Sequence, residues 1–207
     1  MRDNQIYAKR KKCFFMKKEV PYLGHIISEK GIGMDPKKIE AITNWPEIQT
    51  IKQLRAFLGL MGYYRKFIAS YADKAKPLTD LLKKEVISEW TTEHTAAKQS
   101  LIRALTEAPI LRCPDYTQPF EVTTDASGVA LGAVLSQNDH PVAFLAKTFT
   151  KEEAKWDIYE KELFAAVYAV RKWEHYLYSN IPFTLITDNE AVSRIQKQTQ
   201  ISPKQMQ

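Results

Sequence analysis

Two short apolar runs end on the same dipeptide, "FEVTTD" at 120–125 and "FTLITD" at 183–188, and a long amphipathic stretch lies between them. Both runs are rich in β-branched residues and bounded by Pro or Gly, which reads as strand. Between them, from Thr150 to about Tyr178, apolar residues recur at Trp156, Tyr159, Leu163, Ala166, Val167, Val170, Trp173 and Leu177. That spacing predicts one long helix. Strand, helix and strand in this order place the two strands parallel in one sheet, joined by a right-handed crossover. Asp125 and Asp188 then stand side by side at the carboxyl edge, where ligand sites of open α/β sheets gather. Neighbouring carboxylates repel and raise each other's pKa, so the pair calls for a proton or a cation, and a divalent metal is the simplest partner.

The helix offers a third oxygen ligand, with two candidates. At about 100° per residue Glu162 falls on the flank of the apolar stripe shared with Ala166 and Trp173, and Glu160 falls on the opposite flank. Periodicity alone does not choose between them. Asp125 has a second reading too, as a turn residue ahead of Ser127 and Gly128. "VALGAVLSQ" and "PVAFLAKTF" read as further strands, joined tightly around Ser127–Gly128 and Asn138–Asp139. Short connections imply antiparallel pairing, and the fold class is α/β (α+β) with a mixed sheet.

Upstream of Pro109 the period is helical. "MDPKKIEAITNW" has Asp35 as N-cap and Pro36 at the first helical position, where its missing N–H costs nothing. "IKQLRAFLGLMGYYRKFI" places Leu54, Phe57, Leu58, Met61, Tyr64 and Ile68 on one face, with a weakening at Gly59 and Gly62. "KPLTDLLKK" and "TTEHTAAKQSLIRALTEA" continue the helices to about Ala108, the second with Thr92 as cap. "KCFFMKKEVPYLGHIIS" holds two short β-rich runs, and "EKGIG" reads as the turn behind them.

Composition narrows the function classes. The chain has 207 residues, 44% apolar and 26% charged, which suits a globular protein, and it has no apolar run long enough to span a bilayer. The start lacks the apolar core of a secretory signal, and Cys13 and Cys113 form no CxxC pair. The expected setting is intracellular, without membrane or secretion. The net charge is +6, and residues 1–18 alone carry Arg2, Lys9, Arg10, Lys11, Lys12, Lys17 and Lys18 against Asp3. Basic residues interleaved with Tyr7, Phe14 and Phe15 suit a phosphate backbone with stacking bases. No HExxH, GxxxxGK[ST] or GxSxG motif occurs, which removes the zinc-protease, phosphate-loop and α/β-hydrolase chemistries.

In order, "KCFFMKKEVPYLGHIIS", "LRAFLGLMGYYRKFI", "VTTDASGVALGAVLSQ", "YEKELFAAVYAV" and "ITDN" resemble the Pol polyprotein of gypsy-class LTR retrotransposons. The resemblance implies the end of a reverse transcriptase palm over 1–34 and a helical thumb and connection over 35–110. A linker over 111–118 and a ribonuclease H-like domain over 119–207 follow. Its catalytic and metal-binding carboxylates fall on Asp125, Glu162 and Asp188, so Glu160 drops out. The implied reaction is two-metal hydrolysis of the RNA strand of an RNA–DNA hybrid, with Mg²⁺ or Mn²⁺ in oxygen-only ligands.

The same resemblance places a primer-grip-like segment on Tyr22, Leu23, Gly24 and His25. Together with Ser127 and the basic Lys9, Arg10, Lys11 and Lys12, it is expected to contact a template-primer duplex or hybrid. No Asp-Asp pair occurs, so polymerase acids are expected in the remainder of the Pol polyprotein, the chain's expected partner. The family's fourth metal-binding Asp is likewise expected beyond Gln207, which makes the ribonuclease H-like sheet C-terminally truncated. Asn189 stands where the family has His, and "FLAKTFT" replaces an aromatic-x-Ser-Arg pattern. The alternative function is a catalytically silent nucleic-acid-binding fragment.

Overall fold

The computed structural model describes residues 7, 9–10, 13–83, 90–178 and 181–188. Lys11 and Lys12 of the basic segment, and the tail after Asp188, lie outside the described residues.

The chain opens on a three-stranded antiparallel meander, β1 (Glu19–Tyr22), β2 (His25–Ser28) and β3 (Gly31–Met34). The "GIG" expected to be a turn is therefore a strand, paired along its length with His25–Ser28. Its glycine serves close approach: a Cβ on Gly31 would come within 2.1 Å of the Leu111 carbonyl oxygen. Leu23 and Gly24 turn the first hairpin with φ of 49° and 77°. Two consecutive positive φ values match the twist of a tight two-residue hairpin.

Four helices follow: α1 (Pro36–Thr43), α2 (Ile51–Tyr63), α3 (Tyr71–Leu82) and α4 (Thr92–Thr106), with a 3₁₀ turn at Arg65–Phe67. Asp35 caps α1 through the Lys37 amide at 3.0 Å, as its sequence position predicts. Thr50 and Gln53 close a reciprocal capping box on α2. The cap of α4 is Thr91 rather than Thr92, because Thr91 pairs with the His94 ring three residues on. Leu54, Phe57, Met61, Leu78 and Leu101 are fully buried where these helices meet, and this core reaches Leu111 at the start of the linker.

The second sheet has the order β6-β5-β4-β7, built from β4 (Glu121–Ala126), β5 (Ala130–Gln137), β6 (His140–Thr148) and β7 (Thr184–Thr187). The first three strands form an antiparallel meander, and β7 lies parallel to β4. The expected crossover is present but shorter than its sequence pattern suggests. A 3₁₀ turn at Glu153–Lys155 precedes α5 (Ile158–Lys172), and a short α6 (Glu174–Leu177) follows it. Asp157 sets the start of α5 by accepting from the Glu160 amide at 2.7 Å.

The buried face of α5 is also narrower than the apolar stripe. Glu162, Ala165, Ala166 and Ala169 are buried, whereas Val167 is 42% exposed. Small side chains let the helix lie close on the sheet, and that closeness leads a glutamate into the interior.

The stretch expected to be a free linker is pinned at several points. Leu111 exchanges backbone hydrogen bonds with Ile32 of β3 at 2.7 and 2.9 Å, and the Arg112 amide donates to the Pro141 carbonyl at 2.8 Å. The buried Gln137 accepts from the Asp115 amide and donates to the carbonyls of Asp115 and Gln118.

Candidate metal centre and nucleic-acid interface

The register of β4 against β7 pairs Thr124 with Thr187, so the next residue on each strand is an aspartate. Both Asp125 and Asp188 are exposed, at the carboxyl ends of neighbouring parallel strands. From α5, the helix of the crossover, Glu162 enters the same corner and is 3% exposed. One carboxylate oxygen from each of the three lies within 4.8 Å of the others. Glu160 is half-buried and outside this cluster, so of the two glutamates only Glu162 stands with the aspartates.

The corner concentrates negative charge around a buried acid. Glu162 Oε1 accepts from the Ala126 amide at 3.1 Å, while its Oε2 is buried with no hydrogen-bond partner among the described residues. Burial pushes the Glu162 carboxyl above the usual carboxylate range; the Ala126 hydrogen bond opposes the shift, and the charges of Asp188 and Asp125 add to it. A buried acceptor without a donor is costly, and a carboxylate beside two others is more so. A bound cation or a proton would answer both costs. Three oxygen donors with two exposed faces fit a hard divalent ion such as Mg²⁺ or Mn²⁺. Gly128 leaves room beside the site, since a Cβ there would meet nothing within 4 Å.

Ser127, expected to contact nucleic acid, is half-buried and hydrogen-bonded within the protein. Its hydroxyl donates to Asp73 Oδ1 on α3 at 2.8 Å, and its oxygen accepts from the Val129 and Ala130 amides.

At the other end of the chain, Tyr22 and Leu23 are 59% and 68% exposed on the tip of the first hairpin. The tip is braced from behind. The Tyr63 hydroxyl donates to the Leu23 carbonyl at 2.5 Å and the Tyr64 hydroxyl to the Gly24 carbonyl at 3.1 Å. His25 is buried, stacked on Tyr63 at 5.6 Å and edge-on to Tyr64 at 5.5 Å. Burial, with the Lys66 charge adding to it, holds the His25 imidazole below its ordinary pKa. Thus the four residues of "YLGH" divide by role: Tyr22 and Leu23 face solvent, Gly24 makes the turn, and His25 anchors it. Lys9 and Arg10 are exposed near the start of the chain, as are Phe14 and Phe15.

Three functional placements go beyond the patterns of residue type and spacing. The bracing by Tyr63 and Tyr64 has a sequence signal in the tandem "YY" closing α2, although the helical stripe accounts only for Tyr64. Neither the Ala126 amide under Glu162 nor the Asp73–Ser127 contact, 54 residues apart, has a local signal.

Comparison with known proteins agrees with this geometry. Residues 90–185 match the family model of the RNase H-like domain found in reverse transcriptase. Over 189 residues the chain is 44% identical to the retrovirus-related Pol polyprotein from transposon 297 of Drosophila melanogaster, covering 91% of this chain and 18% of the polyprotein. The Pol polyprotein from transposon gypsy of the same organism is 36% identical over 92% of this chain and 20% of its own length. The transposon Tf2-3 polyprotein of Schizosaccharomyces pombe is 33% identical over 100% of this chain and 16% of its own length. The chain thus spans at most about a fifth of these relatives.

Among solved structures, the foamy viral protease-reverse transcriptase in complex with RNA/DNA hybrid superposes with a TM-score of 0.78 and 26% identity, over 95% of this chain and 28% of that one. The same viral protein in complex with dsDNA gives 0.76 and 26% identity, over 92% of this chain and 40% of that one. Nearly the whole chain is thus similar to a segment of the Pol polyproteins of long terminal repeat retrotransposons, and residues 90–185 match the RNase H-like domain found in reverse transcriptase.

Proposed function

We propose that this chain hydrolyses the RNA strand of RNA–DNA hybrids at Asp125, Glu162 and Asp188, and grips the duplex with its N-terminal hairpin and basic segment. The observation that carries the reading is the cluster itself, three carboxylate oxygens within 4.8 Å of one another, one of them on a buried acid. Two bound Mg²⁺ or Mn²⁺ ions supply activation of a water and stabilisation of the leaving 3′ oxygen in such chemistry. The chain's own residues hold the ligands. The Ala126 amide fixes Glu162, and the neighbouring strands β4 and β7 fix Asp125 and Asp188 at one edge. Open space at Gly128 admits a nucleic-acid backbone to the exposed side of the two aspartates.

Gripping rests on the exposed tip at Tyr22 and Leu23 and on Lys9 and Arg10, with Lys11 and Lys12 in the same run of sequence. Aromatic and apolar tips pack on sugar and base, and cations displace phosphate counterions. Polymerase acids come from the remainder of the Pol polyprotein in this reading, which makes that remainder the chain's partner in an intracellular particle. The division at residues 34, 110 and 118 into palm end, thumb and connection, linker and ribonuclease H-like domain belongs to the same proposal.

The test is cleavage of a labelled RNA–DNA hybrid by the purified chain with Mg²⁺ or Mn²⁺, with Asp125→Asn as control. Metal-dependent cuts in the RNA strand that Asp125→Asn removes support the reading. Salt-sensitive duplex binding without any cleavage supports the silent binding alternative instead.

A further inference from the structure

We propose that Asp73 is a positioning residue of the carboxylate site, acting through Ser127 and tying the site's turn to the helical unit. The inference rests on the hydrolytic reading above. Asp125 is followed after one residue by Ser127, whose oxygen organises the β4–β5 turn by accepting from the Val129 amide at 3.2 Å and the Ala130 amide at 3.0 Å. A hydroxyl has one hydrogen to give. Two acceptors lie within reach, Asp73 Oδ1 at 2.8 Å and the Ala130 carbonyl at 3.0 Å. The carboxylate is the stronger acceptor, so the proton points to Asp73.

Asp73 lies in the first turn of α3, far from β4 in sequence, and β5, the neighbour of β4, approaches the same end of the helix. Gly132 is the cross-strand partner of Asp125, and a Cβ on it would stand 3.9 Å from the Ser70 hydroxyl, one residue before α3. Phe144 of β6 packs against the helical core, and the stretch at Leu111 and Arg112 is hydrogen-bonded to both sheets. The face of the second sheet that carries Asp125 is therefore seated on the start of α3. With Asp73 in place, the turn after Asp125 has one position relative to the braced hairpin that grips the duplex. Cleavage then falls at a fixed distance from a held duplex end.

The experiment uses the full chain and a hybrid with one recessed DNA end, with Asp73→Ala, Asp73→Asn, Ser127→Ala and the double alanine variant. Asp73→Ala and Ser127→Ala are each expected to slow cleavage about tenfold and to spread the cuts over several positions, a loss equivalent to roughly 1.4 kcal/mol. The double variant is expected to lose no more than either single one, because the two act as one unit. Asp73→Asn retains an acceptor oxygen and is expected to recover most of the rate and the narrow cut pattern. Additive losses, or an Asn variant as impaired as the Ala variant, or an unchanged cut pattern, overturn the proposal.

A direct reading keeps the two ideas separable. In amide hydrogen exchange of the wild-type chain and Asp73→Ala, protection at Val129 and Ala130 is expected to fall in the variant. Unchanged protection there overturns the Asp73 proposal even if the hybrid is cut, whereas a wild-type chain that cuts nothing but shows the protection loss overturns only the hydrolytic reading.

Discussion

Glu162 accepts a hydrogen bond from the Ala126 amide across 36 residues of sequence, so the helix and the strand that supply two of the three site acids are joined at the site itself. The bond uses one carboxylate oxygen and leaves the other buried without a partner.

Replacing Glu162 therefore separates stability from function. Its folded pKa lies above the ordinary 4.5 because burial disfavours the charge. The contribution is fully present below the unfolded value and is lost as pH rises through the folded one. Glu162→Gln keeps the acceptor to Ala126 and carries no charge. In chelator at neutral pH it is expected to melt higher than wild type by roughly 2–4 °C, with the gap closing as the pH is lowered toward the unfolded value. Added Mg²⁺ or Mn²⁺ is expected to raise the wild-type melting temperature and not that of the variant, measured by thermal denaturation.

His25 predicts a pH dependence of the opposite sense. Its imidazole is held below the ordinary 6.5 by burial and by Lys66, so the unfolded chain binds the proton more readily. Stability from this group is present above 6.5 and is lost as pH falls through the depressed folded value. His25→Phe keeps an aromatic ring against Tyr63 and Tyr64. Urea denaturation across this range is expected to show a shallower acid loss in the variant than in wild type.

The hairpin brace can be removed one hydroxyl at a time. Tyr64→Phe is expected to cost about 0.5–1.5 kcal/mol, the net worth of one intramolecular hydrogen bond. Gly24→Ala is expected to cost about 1–2 kcal/mol, because a side chain in the left-handed region is strained. Its Cβ would also lie 2.6 Å from the Tyr64 hydroxyl oxygen. Tyr63→Phe releases the exposed side of the tip, so its main effect is expected in duplex affinity. Denaturant melts and fluorescence anisotropy with a labelled duplex check the three.

Salt titration reads the basic segment. Lys9→Ala and Arg10→Ala are each expected to weaken duplex binding whatever the sequence and to reduce the slope of log affinity against log salt by about 1. Asp125→Asn is expected to leave that slope unchanged. Anisotropy at several salt concentrations measures it.

Much of this was legible from residue types and spacing, for reasons that particular elements make clear. Asp35 with Pro36, and Thr50 with Gln53, are local caps, and the structure uses them as local rules predict. Asn138 and Asp139 turn the β5–β6 hairpin with positive φ, again a local preference. Glu162 was not separable from Glu160, because burial on α5 depends on alanines that a hydrophobic stripe underweights. Gly31 resembles a turn residue in the local pattern although it starts a strand, since its need is for close approach by Leu111, a distant neighbour. Asp73 and Ser127 meet only after two units have docked. Long-range contacts of this kind carry no sequence period.

The pairing of Leu111 with Ile32, and of Arg112 with Pro141, bears on how such elements recombine. A crossover at 110–118 that joins the helical part of one element to the nuclease-like part of another would set chain from one against chain from the other, at Leu111 and Ile32 if it falls before Leu111 and at Arg112 and Pro141 if it falls after Arg112. Chimaeras divided there should carry Gly31, Ile32 and Pro141 along with the junction, whereas exchange of the exposed hairpin tip alone need disturb only Tyr63 and Tyr64. A few backbone hydrogen bonds thus hold both sheets to a segment whose sequence looks like a spacer.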